Sequence, residues 1–333
     1  LNNSIDLTGF DWGNWSDGNG FIPVGNGSGG TFTGTFDGRG YTITGLYINR
    51  SADQNVGLFG YLNSDYAVVS NISLVDVNVT GGDSVGGLIG QINPGSVFNS
   101  SVSGNVSGYG QSIGGLVGYN LGTVSNSSAA ANVSATAPSN NWHTGGLVGF
   151  NDEDCSITNS SATGNVSGLD NVGGLVGTNK GPIYNSSASG IVDGRDYVGG
   201  LAGTNDAGGT VNASYATGNA SNTGGGVGGL VGQNFGQVSG SYAAGNASGG
   251  YWAGGLVGVN SIGGAVSNAY ATGNASGSNH VGGLVGANWD ASSSINNSYS
   301  IGNVSVSPGG NLGGLVGTNN GIVSNSLYDT NTS

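Results

Sequence analysis

Residues 159–167 alternate in character. Ser160, Ala162, Gly164 and Val166 fall on one side of an extended chain, and Asn159, Ser161, Thr163, Asn165 and Ser167 fall on the other. Period-two alternation predicts a strand with one buried face. The buried set is small, which suits an interior whose opposing walls lie close together. The same phrase recurs as VSNSSAAANVS from Val124, ITNSSATGNVS from Ile157 and VSNAYATGNAS from Val266, so the strand is predicted once per repeat.

A second phrase precedes each copy. VGGLVG, with small variations, begins at Val56, Val85, Ile113, Thr144, Val172, Val198, Val227, Ala253, Val281 and Leu312, a period of 26–31 residues. It carries one large apolar side chain per copy, at Leu88, Leu116, Leu147, Leu175, Leu230, Leu256, Leu284 and Leu315. Gly, Ser, Asn and β-branched residues dominate each copy and are poor helix formers. A two-part unit repeated at this period predicts stacked coils, because no single unit buries its apolar face alone. The expected fold is all-β: a right-handed parallel β-helix of about ten coils over residues 56–333, with residues 1–55 as an N-terminal β cap or lead-in. Stacking at roughly 4.7–4.9 Å per coil gives a rod on the order of 50 Å long, with ladders of Leu, Val, Asn and Gly. The Gly pair before each Leu marks a corner that needs either positive φ or close backbone contact between coils.

The cores Gly87-Leu88-Ile89-Gly90 and Gly174-Leu175-Val176-Gly177 resemble the GLUG-motif repeats. The opening of the chain is similar to the lead-in that accompanies such repeats: SIDLTG from Ser4, GFIPVGN from Gly20, FTGTFDGRGYTITGLYINR from Phe32 and VGLFG from Val56. The resemblance implies a secreted or surface-anchored bacterial or archaeal protein of adhesin-like or envelope type. It implies a place rather than a reaction.

Composition narrows the function. Four basic residues, Arg39, Arg50, Lys180 and Arg195, stand against 17 acidic ones, for a formal net charge of -13. Such a chain cannot neutralise a run of phosphates, so nucleic acid and anionic membranes are poor partners. No apolar stretch approaches the roughly 18 residues of a membrane span. The chain opens at Leu1 without an initiator Met, which suggests a leader removed or outside the numbering. The single cysteine, Cys155, cannot form an internal disulfide, which leaves a small buried thiol or a bridge between molecules.

About twenty Asn-X-Ser/Thr sequons occur. Candidate glycan acceptors are Asn71, Asn78, Asn99, Asn105, Asn126, Asn132, Asn159, Asn165, Asn185, Asn212, Asn219, Asn246, Asn274, Asn296 and Asn303. A repeat that uses Asn and Ser for stacking and turns generates the same sequons without any glycan. One corner, just before GGLVG, carries Tyr109, Trp142 with His143, Tyr197, Tyr251 with Trp252, and His280; a different corner holds Tyr119, Phe150, Phe235 and Trp289. Aromatics along an edge stack on sugars, pack against a neighbouring subunit, or fold back over the rod. The run Asp152-Glu153-Asp154 is a candidate Ca²⁺ site, or else a solvated loop, and it lacks the spacing of a dedicated calcium repeat.

Catalytic residues are not evident. His143 and His280 sit in variable corners and neither is placed like a triad base. Paired carboxylates for glycoside hydrolysis would have to come from Asp152, Asp154, Asp170, Asp193 and Asp196, near successive corners. A β-helical enzyme that cleaves acidic polysaccharides would also need basic groups that are scarce here. The aromatic N-terminus, with Trp12, Trp15, Phe21, Phe32 and Phe36, suits a cap, whereas the C-terminal end suggests either a further domain or docking onto another subunit. The expectation is an extracellular, non-catalytic protomer of a sheath, surface layer or filament that pairs with itself and needs no cofactor. An adhesin rod that binds surface glycans or a neighbouring protein is the alternative.

Overall fold

The computed structural model describes residues 1–15, 17–26, 30–136 and 143–330. Among these the only helical element is the single 3-10 turn Trp12–Asn14; the rest is strand and turn. In one coil the chain runs through Ser101–Gly108, Ser112–Gly114, Val117–Asn120 and Thr123–Ser125 before entering the next coil at Ser128–Ala135. Strands pair in parallel with their equivalents in neighbouring coils, so that Val97, Val124 and Ile157 lie side by side. The coils form a β-solenoid, as the repeat predicts. We call the four sheets by these strands: the long sheet (Ser101–Gly108), the short sheet (Ser112–Gly114), the core-phrase sheet (Val117–Asn120) and the fourth sheet (Thr123–Ser125). Among the described residues the core-phrase sheet holds ten strands.

The alternation read from the sequence holds residue by residue. Ser160, Ala162, Gly164 and Val166 are buried, while Asn159, Thr163, Asn165 and Ser167 are exposed and Ser161 is half-buried. Leu88, Leu116, Leu147, Leu175, Leu201, Leu230, Leu256 and Leu284 are fully buried in one continuous core with the inward Val and Ile of the fourth sheet. Each such side chain is worth roughly 1.5–3 kcal/mol of burial.

The Gly pair serves close contact, since neither member adopts positive φ. A Cβ on Gly145, the first of its pair, would lie 2.0 Å from the Val148 carbonyl oxygen and 2.8 Å from the Gly177 nitrogen. A Cβ on Gly146, the second, would lie 2.1 Å from the Gly174 oxygen and 3.0 Å from the Ala162 Cβ. The first glycine therefore lets the short sheet lie backbone on backbone against the core-phrase sheet. The second lets the turn approach the next coil and the small side chains of the long sheet.

Two polar ladders tie the coils together. Asn120, Asn151, Asn179, Asn205, Asn234, Asn260, Asn288 and Asn319 form a chain in which each Nδ2 donates to the next Oδ1 at 2.7–2.9 Å. All but Asn319 are wholly buried. The serines after the αL corner do related work: Ser127 Oγ donates to the Ser125 carbonyl at 2.7 Å and accepts the Ser100 amide at 3.2 Å. Buried polar groups satisfied in this way add register without an unpaired-group penalty.

Residues 1–55 join the same sheets. Thr35–Asp37 pairs with Val68–Ser70, Thr42–Thr44 with Ser73–Val75, and Tyr47–Arg50 with Asn78–Gly81, all in parallel. Beyond them Phe10, Trp12, Trp15, Phe21 and Phe36 help line a wholly apolar cavity of about 430 Å³.

Candidate functional site

The Gly-Gly turn has a consequence for side chains. It folds the core-phrase strand back onto the short strand, so the outer positions of both open onto one edge of the solenoid. The column from the short sheet reads Ser112, His143, Asn171, Tyr197, Gly226, Trp252, His280 and Asn311. The column from the core-phrase sheet reads Tyr119, Phe150, Thr178, Thr204, Gln233, Val259, Ala287 and Thr318.

The aromatics assigned above to two different corners therefore meet, which corrects that part of the expectation. His143 lies edge-on to Phe150 with ring centroids 4.8 Å apart, and Phe150 stacks on Tyr119 at 4.8 Å. Trp252 meets Trp289 at 5.9 Å and Tyr251 at 4.8 Å, while His280 lies 6.1 Å from Trp289. Contacts also cross the groove between successive coils. His143 Nδ1 pairs with Thr178 Oγ1 at 2.7 Å, Thr204 Oγ1 donates to Asn171 Oδ1 at 2.6 Å, and His280 Nδ1 pairs with Thr318 Oγ1 at 2.6 Å.

Between these aromatic groups the edge opens into a cleft of about 550 Å³. Its floor is Thr178 and Thr204, 4% and 6% exposed, with His143 and Phe150 at one end. Its walls include Tyr197, Phe235, Gln233, Lys180 and Asp206. Gly226 has no side chain to fill the column between Tyr197 and Trp252. Tyr197 itself is held at φ 49, a conformation an aromatic residue rarely adopts. Lys180, the chain's sole lysine, places Nζ 5.4 Å over the Phe150 ring. Arg195 grips Asp170 with one nitrogen at 2.6 and 2.8 Å and Asp196 at 3.0 Å.

Burial, then the nearby Lys180 charge, pull the His143 imidazole down to about 4, so it is neutral at pH 7. His280 is also lowered by burial. Burial, then Asp152, push the Tyr119 phenol up to about 12, and the hydroxyl donates to Asp152 Oδ2 at 3.1 Å.

The remaining expected residues are placed as follows. Tyr109 stands apart, 49% exposed, near Asp83 and Gln111. Trp142 lies outside the described residues. The acidic run does not gather into a cation cage: Asp152 is engaged by Tyr119, Glu153 and Asp154 are exposed, and among the described residues no group of three or more His, Cys, Asp or Glu converges. Cys155 is buried, its Sγ donating to the Glu153 carbonyl at 3.1 Å. Burial, then Asp152 and Asp154, push that thiol up to about 11, and a bridge between molecules would require this corner to open. Asp170 and Asp196, in register with each other, both hold Arg195.

The sequon asparagines fall into columns with structural duties. Asn71, Asn99, Asn126, Asn159 and Asn185 occupy an αL corner at φ 48–54, and Asn212 and Asn296 fall one residue before it. Asn78, Asn105, Asn132, Asn165, Asn219, Asn246, Asn274 and Asn303 form an exposed row on the long sheet. In that row the Oδ1 atoms of Asn132, Asn165, Asn219, Asn246 and Asn274 accept the backbone N–H of the next coil at 2.9–3.2 Å.

One feature escaped the sequence reading. Tyr215, Tyr242, Tyr270 and Tyr299 stack face to face along the long sheet, with centroids 4.9, 4.9 and 5.1 Å apart and planes within 4°. The signal was available in the recurring Tyr of SYATGNAS, SYAAGNAS, AYATGNAS and SYSIGNVS. Thr178, Thr204 and Gln233 were missed because single polar residues in a Gly-rich phrase carry no pattern.

Fold and edge together define a parallel β-solenoid repeat protein. The chain carries GLUG repeats: the family described as "The GLUG motif" matches residues 109–134, 140–167 and 277–305. Halomucin of Haloquadratum walsbyi is 40% identical over 120 residues, a stretch that is 35% of this chain and 1% of halomucin. The chain thus spans a very small part of that relative. Among solved structures, a Bacteroides ovatus protein provisionally assigned as an immunoglobulin A1 protease matches with a TM-score of 0.35 and 20% identity, covering 97% of this chain and 76% of that one. A likeness at that level does not bear on activity.

Proposed function

We propose that the chain is a non-catalytic structural element of an extracellular, cell-surface assembly. The observation that carries this reading is the parallel stack of coils, tied from Asn120 to Asn319 by an Asn ladder of eight rungs, seven of them buried. Such a stack is a stiff rod, because each coil is fixed by the two beside it. The GLUG repeats and the partial likeness to halomucin support a surface location. A non-catalytic role is supported by His143 and His280, each tied to a threonine, and by Asp170 and Asp196, both tied to Arg195. The rod pairs with further copies of itself as the protomer of a sheath, surface layer or filament, and outward sequon asparagines carry glycans there.

The test is immunogold labelling of intact producing cells, with electron microscopy of the purified protein beside it. Decoration of the outer surface and ordered assemblies at high protein concentration are expected. Label confined to the cell interior would overturn the location, and strictly monomeric rods would overturn the protomer role. The aromatic edge favours adhesion as a second reading, which a glycan or receptor screen on the same material separates from assembly.

A further inference from the structure

We propose that the cleft between His143 and Phe235 is a binding site for a neutral saccharide unit. Its shape comes first. A space of about 550 Å³ falls within the roughly 300–1,000 Å³ range of small-molecule sites. It is floored by buried threonines and walled by Tyr197 and Phe235, both partly exposed.

Charge then selects the ligand. Two of the chain's four cations flank this cleft, yet Arg195 is already held by Asp170 and Asp196. Lys180 and Asp206 follow the paired Asn179 and Asn205, so they are neighbours in successive coils, inside a molecule of net charge -13. An anionic ligand meets Asp206 and an unfavourable overall field, while a cationic ligand finds Asp170 and Asp196 already held by Arg195 and Asp206 beside Lys180. A neutral ligand with many hydroxyls meets neither obstacle.

The polar residues that line it include Asp206, Lys180, Gln233 and Tyr197, a mixed set of donors and acceptors suited to hydroxyl groups. The aromatic rings offer apolar surface to the C–H face of a pyranose. The contrast with the tyrosine ladder is instructive: those rings cover one another at 4.9–5.1 Å, so mainly their edges and hydroxyls remain for a ligand. Tyr197, by contrast, is held at φ 49 at the cleft, a left-handed corner position that Asn171 shares in the preceding coil.

This proposal does not depend on the surface role, because binding is measured on the isolated full chain. Isothermal titration with cellotetraose, chitotetraose and mannotetraose, against the polyanion tetragalacturonate, tests it. Saturable binding of at least one neutral probe is expected, weakened on the order of tenfold by Tyr197→Gly and by Phe235→Ala. Tyr197→Gly is the safer variant, since glycine relieves the positive φ and should melt no lower than the parent. The proposal is overturned if no neutral probe binds saturably, if tetragalacturonate is preferred, or if Tyr197→Gly folds and binds like the parent.

Discussion

At the scale of single residues, position in the coil decides what a residue type is for. Asn serves as a buried ladder rung at Asn205, an αL corner at Asn159 and an outward acceptor at Asn246. A sequence shows that Asn recurs but does not show which of these duties applies, so the sequons alone cannot distinguish glycan acceptors from structural asparagines. Histidine is similar. His143 was legible as a corner residue, but its burial depends on Phe150 and Thr178 arriving from a neighbouring strand and the next coil. That burial yields a pH prediction. The folded imidazole titrates near 4, whereas an unfolded one titrates near 6.5, so the unfolded chain takes up the proton first. Stability should therefore fall as pH drops from about 6.5 to 4, by on the order of 3 kcal/mol, and be unaffected by this group above that window. Asp17, held down to about 2 chiefly by the Arg50 hydrogen bond, acts in a lower window, below the usual carboxylate range. Denaturant titrations at pH 7 and 4.5 on the parent and on His143→Asn should show a larger loss in the parent, since His280 contributes in both. Equal losses in both would remove His143 as the cause.

Among elements, the strand of the long sheet was readable because alternation of small and polar residues survives in every copy. The Gly pair was readable as a corner but not as a seam. Two of its reasons were open in the sequence, positive φ or close approach, and only the placement of Gly177 and Gly174 against Gly145 and Gly146 decides between them. With the seam undetermined, the short and core-phrase strands read as separate corners, and the aromatic edge could not be assembled. The Asn ladder was anticipated as a stack, and its energetics now follow. Asn205 donates to Gly209 and Asn234 and accepts from Asn179, entirely out of solvent. Asn205→Leu leaves Asn234 Oδ1 without its donor and Asn179 Nδ2 without that acceptor, while the Gly209 carbonyl keeps the Gln237 N–H at 2.9 Å. Each buried group left unpaired costs about 1–3 kcal/mol. Asn179 keeps its bond to the Gly181 carbonyl, so a total loss of roughly 2–4 kcal/mol is expected. Chemical denaturation reads it directly, with exposed Asn246→Leu as the comparison at a much smaller cost. A loss below about 1 kcal/mol for Asn205→Leu would mean the ladder is a passenger of the Leu core.

Over the whole molecule, the repeat makes stability a matter of coils and the interfaces between them, so the unit of change is one complete turn. Val198 and Val227 occupy the same position in successive coils. Removing residues 198–226, which is 29 residues, joins Tyr197 to Val227 and returns every later strand to its column one step sooner. The Leu, Asn and Gly ladders each lose one rung and remain continuous. Removing residues 198–211, which is 14 residues, instead takes half of the short strand, the whole core-phrase strand and most of the fourth strand out of one coil while keeping the rest. The Leu and Asn ladders are then interrupted, and backbone groups of Val176–Asn179 lose their partners on one side. Unsatisfied backbone edges of this kind are costly and prone to pairing with other chains. The full-coil deletion should keep the parent's circular-dichroism spectrum and melt within about 5 °C of it, whereas the half-coil deletion should aggregate or melt far lower. Comparable melting of the two would show that register along the axis is not what holds this solenoid together.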